Sequence, residues 1–177
     1  MNIVFITGGA GYIGSHCAIS LVKNGYSPII LDNFSNSNQS LINKIEKITK
    51  KKITFYNIDL RDKKKLRLIF KKHPCYSVIH CAGFKSVEKS IEKPLSYFDN
   101  NIGSTLALLE CMLESKVFKI IFSSSATVYS DKQKLPLKEN SKIGKTKNPY
   151  GTSKYIIERI LMDLSVSDVR WSVRIAR

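Results

Sequence analysis

Acidic residues are scarce in this sequence: 14 Asp and Glu stand against 29 Lys and Arg, a formal charge of +15 over 177 residues. Such an excess is the usual electrostatic footprint of a nucleic-acid binder. Here the cations are scattered, with Lys44, Lys47 and positions 50–52 after one helical stretch, 63–65 opening the next, and others through 132–147 in a loop. None of these runs interleaves the aromatics that a single-strand stacking platform needs, so no nucleic-acid partner is expected. Long apolar runs are missing too. No stretch approaches the ~18 apolar residues of a membrane span. The opening Met1-Asn2-Ile3-Val4-Phe5-Ile6-Thr7-Gly8-Gly9 has no basic segment, and glycines cut its apolar run short. A soluble, cytoplasmic protein without a membrane partner is expected. Cys17, Cys75, Cys81 and Cys111 show no CxxC spacing, and His16, His73 and His80 complete no ligand pattern. The cysteines are read as reduced, mostly buried thiols, and no metal site is expected. Internal repeats, low-complexity tracts and linkers are absent as well.

What is present is one domain's worth of ordinary globular chain, 43% hydrophobic and 24% charged, which rules out wholesale disorder. Ile3 to Thr7 reads as a short buried strand running into Gly8-Gly9-Ala10-Gly11-Tyr12-Ile13-Gly14. Gly9, Gly11 and Gly14 satisfy GxGxxG, while Gly8, Gly11 and Gly14 satisfy GxxGxxG. Glycine allows a tight turn and a close approach of backbone to phosphate. The helix predicted from Tyr12 to Lys23 would aim free N–H groups and the positive end of its dipole at a pyrophosphate. A second strand, Pro28 to Leu31, ends at Asp32, eighteen residues after Gly14. That is about where a carboxylate meets an adenosine ribose. No Arg follows to neutralise a 2′-phosphate, which Asp32 would itself repel, so NAD rather than NADP is expected.

The alternation continues. Helices are predicted over 41–48 and 64–72, strands over 53–58 and 77–81, one long helical region over 96–114, then strands over 119–123 and 170–176. Strands separated by helices imply right-handed crossovers and a parallel sheet covered on both faces, an α/β doubly wound (Rossmann) fold. Ligands of such sheets lie beyond the carboxyl ends of the strands, where Asp59, Ala82-Gly83, Asn100 and Ser123 to Ser125 fall. The longest irregular stretch, Asp131 to Asn148, leads to Asn148-Pro149-Tyr150-Gly151-Thr152-Ser153-Lys154. Pro149 suits a helix entry, and four residues place Tyr150 and Lys154 on one face. A nearby cation favours a phenolate, so Lys154 is expected to prepare Tyr150 for proton exchange with a substrate hydroxyl.

Taken together, Thr7 to His16, Leu31-Asp32-Asn33, Asp99-Asn100-Asn101, Phe122 to Tyr129 and Tyr150 to Lys154 give the chain a resemblance to the extended short-chain dehydrogenase/reductases, and within them to the UDP-glucose 4-epimerases. The resemblance implies reversible interconversion of UDP-glucose and UDP-galactose through a 4-keto sugar. It casts Tyr150 as the group that takes the 4-hydroxyl proton while hydride passes to NAD. Lys154 would contact the nicotinamide ribose and lower the Tyr150 pKa, and Ser125 would hydrogen-bond the 4-oxygen. By position, the cofactor contacts implied are Gly8, Gly11, Tyr12, Ile13, Gly14, Asp32, Asn33, Asn36, Asp59, Leu60, Ala82, Gly83, Lys85 and Asn100, with Tyr150 and Lys154. Related 4,6-dehydratases resemble this family but carry Asp-Glu where this chain has Ala126-Thr127, which favours simple epimerisation.

Three departures stand out: Ser130 where the family has Gly, a glycine shifted by one position to Gly103, and Cys81 in place of a larger apolar residue. The first two are expected to disturb loops near the cofactor. The family's chains also continue about as far again. Residues 1–177 are therefore expected to be the NAD-binding domain without the part that grips UDP, weak or inactive alone and a homodimer when complete. A non-catalytic NAD-binding module is the alternative; it needs the glycine loop and Asp32, but not Tyr150, Lys154 and Ser125 together.

Overall fold

The structure, a computed structural model, describes residues 2–130 and 135–177. Six strands, β1 (Ile3–Thr7), β2 (Ser27–Asp32), β3 (Thr54–Asn57), β4 (Cys75–His80), β5 (Lys119–Ser123) and β6 (Ser172–Ala176), form one sheet in the order β3-β2-β1-β4-β5-β6. Every pairing is parallel. Alternation along the central strand assigns the two faces. Phe5 enters a core with Leu31, Val78 and Phe122. Its neighbour Ile6 enters the opposite core with Ile30, Ile42 and Ile45. Both side chains are fully buried, as expected for a strand covered on each face.

Helices α1 (Tyr12–Lys23) and α2 (Ser40–Thr49) cover the Ile6 face. The Phe5 face is covered by α3 (Lys63–Lys72), α6 (Ser104–Glu114) and α7 (Pro149–Ser167). In α3 the buried residues Leu66, Ile69 and Phe70 follow i, i+3, i+4 spacing, and the Asp62 side chain caps the helix by accepting from Lys65 N. Its outer face is tied to α6 by Lys63–Glu110 and Arg67–Glu114 pairs at 2.5 and 2.7 Å. These pairs are half-exposed and add little stability.

Two expectations are corrected. The helical region predicted over 96–114 is divided. A short helix α4 (Val87–Glu92), which the sequence reading lacked, precedes α5 (Pro94–Phe98), a π-helical turn (Asp99–Gly103) and then α6. The π turn inserts one residue while Phe98 and Gly103 keep right-handed helical backbone, so no helix-breaking proline marks the division between α5 and α6 in the sequence. Only Cys111 is buried; Cys17, Cys75 and Cys81 are half-buried and all four thiols are free. No helix among the described residues is long and apolar enough to cross a membrane. Part of the predicted long loop, residues 131–134, lies outside the described residues.

The chain moves outward from β1 through β2 to β3, then returns to β4 on the other side of β1. That reversal opens a crevice at the carboxyl ends of β1 and β4.

Candidate functional site

The crevice begins at the glycine loop. Gly8 has φ +66°, and a Cβ there would stand 2.7 Å from Ala82 N, so only glycine lets the β1 and β4 ends come together. Gly14 is as constrained, since its Cβ would lie 2.4 Å from the Gly8 carbonyl oxygen. Helix α1 is thereby seated directly on the loop. Its N-cap, Gly11, provides no side-chain cap, and its first turn holds no acidic residue. Tyr12, Ile13 and Gly14 border the cleft. A helix start of this kind offers backbone N–H groups and a positive dipole end to an anion.

Across the cleft, Asp32 is 9% exposed. One carboxylate oxygen accepts from Ala10 N at 3.0 Å, and the other from Phe34 N and Ser37 Oγ, both at 2.9 Å. Asp32 therefore ties the β2 end to the glycine loop as well as facing the cleft. Asp59 is gripped by Arg61, whose Nε and Nη2 donate at 3.0 and 2.7 Å. These bonds hold its carboxyl below the usual range, so it is ionised at neutral pH. The fourteen residues from Gly8 to Asn100 that the sequence suggested as cofactor contacts, Asn33, Asn36, Leu60, Gly83 and Lys85 among them, all border this one cleft. So do Ser35, Ser37, Leu41, Phe84 and Ser104, which the sequence reading missed. These sit within turns or a helix and carry no motif of their own.

A second cluster lies at the start of α7. Asn148 caps the helix by accepting from Gly151 N at 2.8 Å, and Pro149 takes the first helical position. Gly151 is flush against Thr127, in the short 3₁₀ turn Ala126–Val128. Ser125 precedes that turn; its Oγ accepts from Thr127 N at 3.2 Å and from Thr127 Oγ1 at 2.9 Å. Both acceptor positions of the hydroxyl are thus filled, and its own proton is available to donate. Tyr150 is half-buried, one turn before Lys154.

Lys154 is 5% exposed. Its Nζ donates to the Ser123 carbonyl at 2.8 Å and sits 4.6 Å from the Phe122 ring centroid. Burial pushes its pKa down to about 8, against the opposing influence of Cys81 and Glu158. The ammonium therefore stays mostly protonated at neutral pH. Cys81 borders the cofactor cleft, so Lys154 stands at the boundary between the two clusters. The hydrogen bond that the structure gives the Lys154 ammonium is to the Ser123 carbonyl.

Sequence reasoning also missed a buried polar frame behind both clusters. The Asn101 side chain accepts from Phe84 N at 2.7 Å and donates to Phe84 O at 3.1 Å and Ser153 Oγ at 3.0 Å. It joins the loop after Gly83 to α7, one residue before Lys154. Beside it, Thr105 Oγ1 donates to Asn101 O at 2.6 Å, so the 2.9 Å bond from His80 must carry the proton on His80 Nε2. His80 Nδ1 then accepts from Thr7 Oγ1 at 2.6 Å, and Thr7 Oγ1 accepts from Ala82 N at 3.3 Å. This fixes the tautomer of a fully buried ring.

Ser130 and Gly103, at two of the departures noted in the sequence, both lie outside the left-handed region. Ser130 is absent from the left-handed residues and donates its N–H to Lys142 O at 3.0 Å. At Gly103 a Cβ would meet nothing closer than Asp99 Oδ1 at 3.5 Å.

Comparison with known proteins places this geometry. A family profile described as GDP-mannose 4,6 dehydratase matches residues 5–173. UDP-glucose 4-epimerase of Neisseria meningitidis serogroup C is 48% identical over 177 residues, 100% of this chain and 52% of that protein. Among solved structures, UDP-glucose 4-epimerase from Bifidobacterium longum, in complex with NAD+ and UDP, superposes with TM-score 0.97 at 44% identity, covering 99% of this chain and 52% of that one. The Stenotrophomonas maltophila enzyme, with bound NAD and formylated UDP-arabinopyranose, gives TM-score 0.95 at 37% identity over 100% of this chain and 52% of its own. The chain spans about half the length of the curated relatives it matches. It belongs to the GDP-mannose 4,6 dehydratase family, and over about half of their length it resembles the UDP-glucose 4-epimerases.

Proposed function

We propose that this chain is the NAD-binding and proton-transferring portion of a UDP-glucose 4-epimerase, which interconverts UDP-glucose and UDP-galactose through a 4-keto sugar. The observation that carries this reading is one cleft bordered by the glycine loop, Asp32 and Asp59, together with the buried cation of Lys154 one helical turn after Tyr150. The α1 start would hold the pyrophosphate, Asp32 the adenosine ribose, and Asp59 with Asn33 the adenine end. Ala82, Gly83, Lys85 and Asn100 would line the path toward the nicotinamide. When bound, NAD supplies an acceptor and donor of hydride for C4 of the sugar.

The chain's own residues then handle the proton. Tyr150 takes it from the 4-hydroxyl and returns it after the ketone has turned over in the site. Lys154, held by Ser123 O, keeps a positive charge beside the reacting oxygens. Ser125 donates its free proton to the 4-oxygen, a preorganised bond of the kind worth a few kcal/mol in transition-state stabilisation. Elimination of water would need a further acid and base. Ala126 has none, and the Thr127 hydroxyl is committed to Ser125, which supports epimerisation over dehydration.

Since the relatives are about twice as long, this chain by itself is expected to turn over UDP-galactose poorly, lacking remote binding energy for the UDP group. Pairing of two copies through α6 and α7 belongs to the same proposal, and the exposed Leu106 and Leu113 on α6 and Met162 and Val166 on α7 support it. The test is chromatographic conversion of UDP-galactose to UDP-glucose by the complete protein, with and without Tyr150→Phe. Loss of conversion with NAD retained is expected; conversion unchanged in the variant would refute the assignment.

A further inference from the structure

Glu158 is fully buried, one turn beyond Lys154 on α7. A carboxylate is expensive to bury unless its charge is paired and its oxygens bonded. Arg177 meets it with Nε at 3.0 and 3.2 Å and Nη2 at 2.8 Å. The Ser124 hydroxyl also donates to it. Both partners reach further. Ser124 N donates to Ala176 O at 2.7 Å, and Ser124 stands between the carbonyl that holds Lys154 and the hydroxyl of Ser125. Arg177 Nη1 donates to Glu139 O at 3.0 Å, and its guanidinium lies 5.5 Å from the Tyr129 ring centroid. One carboxylate thus joins α7, the turn at 123–125, the end of β6 and the loop that returns to Asn148.

We propose that Glu158 is a positioning residue, which through Ser124 and Arg177 sets the 123–125 turn against α7 and so fixes Ser125 and the Ser123 carbonyl relative to Tyr150 and Lys154. An apolar pair of equal volume would stabilise the same junction without directing a hydroxyl or a carbonyl. The charge therefore serves geometry more than stability. The reaction it serves rests on the epimerase reading; the positioning itself does not.

The experiment uses the complete protein. Glu158→Gln strands Arg177 and endangers the fold, so Ser124→Ala, which removes one hydroxyl, carries the test. Amide hydrogen exchange in the variant should quicken about tenfold at Thr127 and Val128, the loss of roughly one hydrogen bond, while Phe5 and Ile6 in β1 keep the parent's rates. The side-chain ammonium resonance of Lys154, identified by its disappearance in Lys154→Arg, should shift. Equal acceleration in β1 and in the turn means that Ser124 only stabilises the fold, and overturns the proposal. Unchanged exchange with an unmoved Lys154 resonance overturns it as well. NAD binding by the parent, measured alongside, reports separately on the cofactor reading, so failure of one is not mistaken for failure of the other.

Discussion

Gly151 and Thr127 are in contact with no room between them for a side chain: a Cβ on Gly151 would lie 2.8 Å from the Thr127 carbonyl oxygen and 3.3 Å from the Thr127 Cβ. The first turn of α7, which carries Tyr150, is therefore seated on the turn that carries Ser125. Alanine in a helix is ordinarily favoured over glycine by about 1 kcal/mol. Here Gly151→Ala should instead destabilise by about 1–3 kcal/mol, because the obstacle is backbone. Urea unfolding measures this, and a variant as stable as the parent would show that the seat yields.

Asp32 holds three donors besides facing the cleft. Asp32→Ala leaves Ala10 N and Phe34 N without that acceptor, and stability should fall by about 1–3 kcal/mol. Calorimetric titration should find NAD bound about tenfold more weakly or worse, with discrimination against NADP reduced as the repulsion of a 2′-phosphate disappears. Unchanged preference between the two cofactors would remove Asp32 from the ribose.

Burial pushes His80 down to about 3, with the Lys154 charge adding to the effect. The folded value lies below the unfolded one of about 6.5. The stability this represents is present above pH 6.5 and is lost as pH falls through the folded value toward 3. The ring-proton resonances of His80 should therefore stay fixed from pH 8 to pH 5. A titration within that range would mean the ring is less enclosed than its bonds to Thr7 and Thr105 imply.

Lys154, like His80, is a base that carries its charge when protonated, and its linkage has the same sign. With a folded value near 8 against about 10.5 unfolded, the protonated form opposes folding. The chain free of NAD should gain about 2 kcal/mol from this residue between pH 7.5 and pH 9.5. Lys154→Met should be more stable than the parent at pH 7.5 and should lack that rise. Parallel denaturation curves for parent and variant at both pH values would refute the burial argument.

Neighbouring asparagines should separate cleanly. Asn101→Ala removes bonds to Phe84 and Ser153 and should destabilise by about 2–4 kcal/mol. Asn100, which borders the cleft and donates only to Asn101 Oδ1 among its side-chain bonds, should give an alanine variant within about 1 kcal/mol of the parent but weaker in NAD binding. Thermal unfolding with and without NAD distinguishes the two.

That pair also shows what the sequence made legible. The strands, the glycine loop and the Asp32 position follow from local rules: apolar runs for strands buried on both faces, and glycines where backbone meets backbone. The start of α7 was equally readable, from Asn148, Pro149 and the spacing of Tyr150 and Lys154. Asn100 and Asn101 were not separable, because the π turn sets their directions without leaving helical dihedrals. Helix α4 is only six residues long, too short for a period to emerge. Glu158 and Arg177 are nineteen positions apart, and nothing in either neighbourhood announces that one will bury its charge against the other. Distant partners of that kind are chosen by the packed fold.

The order of elements along the chain has a consequence for synthesis. Every described residue bordering the cofactor cleft precedes position 105, whereas Ser125, Tyr150 and Lys154 come later. As the polypeptide leaves the ribosome, β1, β2, β3 and β4 are all free to assemble while α7 is still being made. By then every described residue that borders the crevice in the folded protein has been made, while Ile157 and Leu161, which pack into the Phe5 core, have not. A nucleotide that binds at this stage favours the partly assembled sheet by mass action. The cofactor would then act as a folding template before the residue that uses it has been added to the chain.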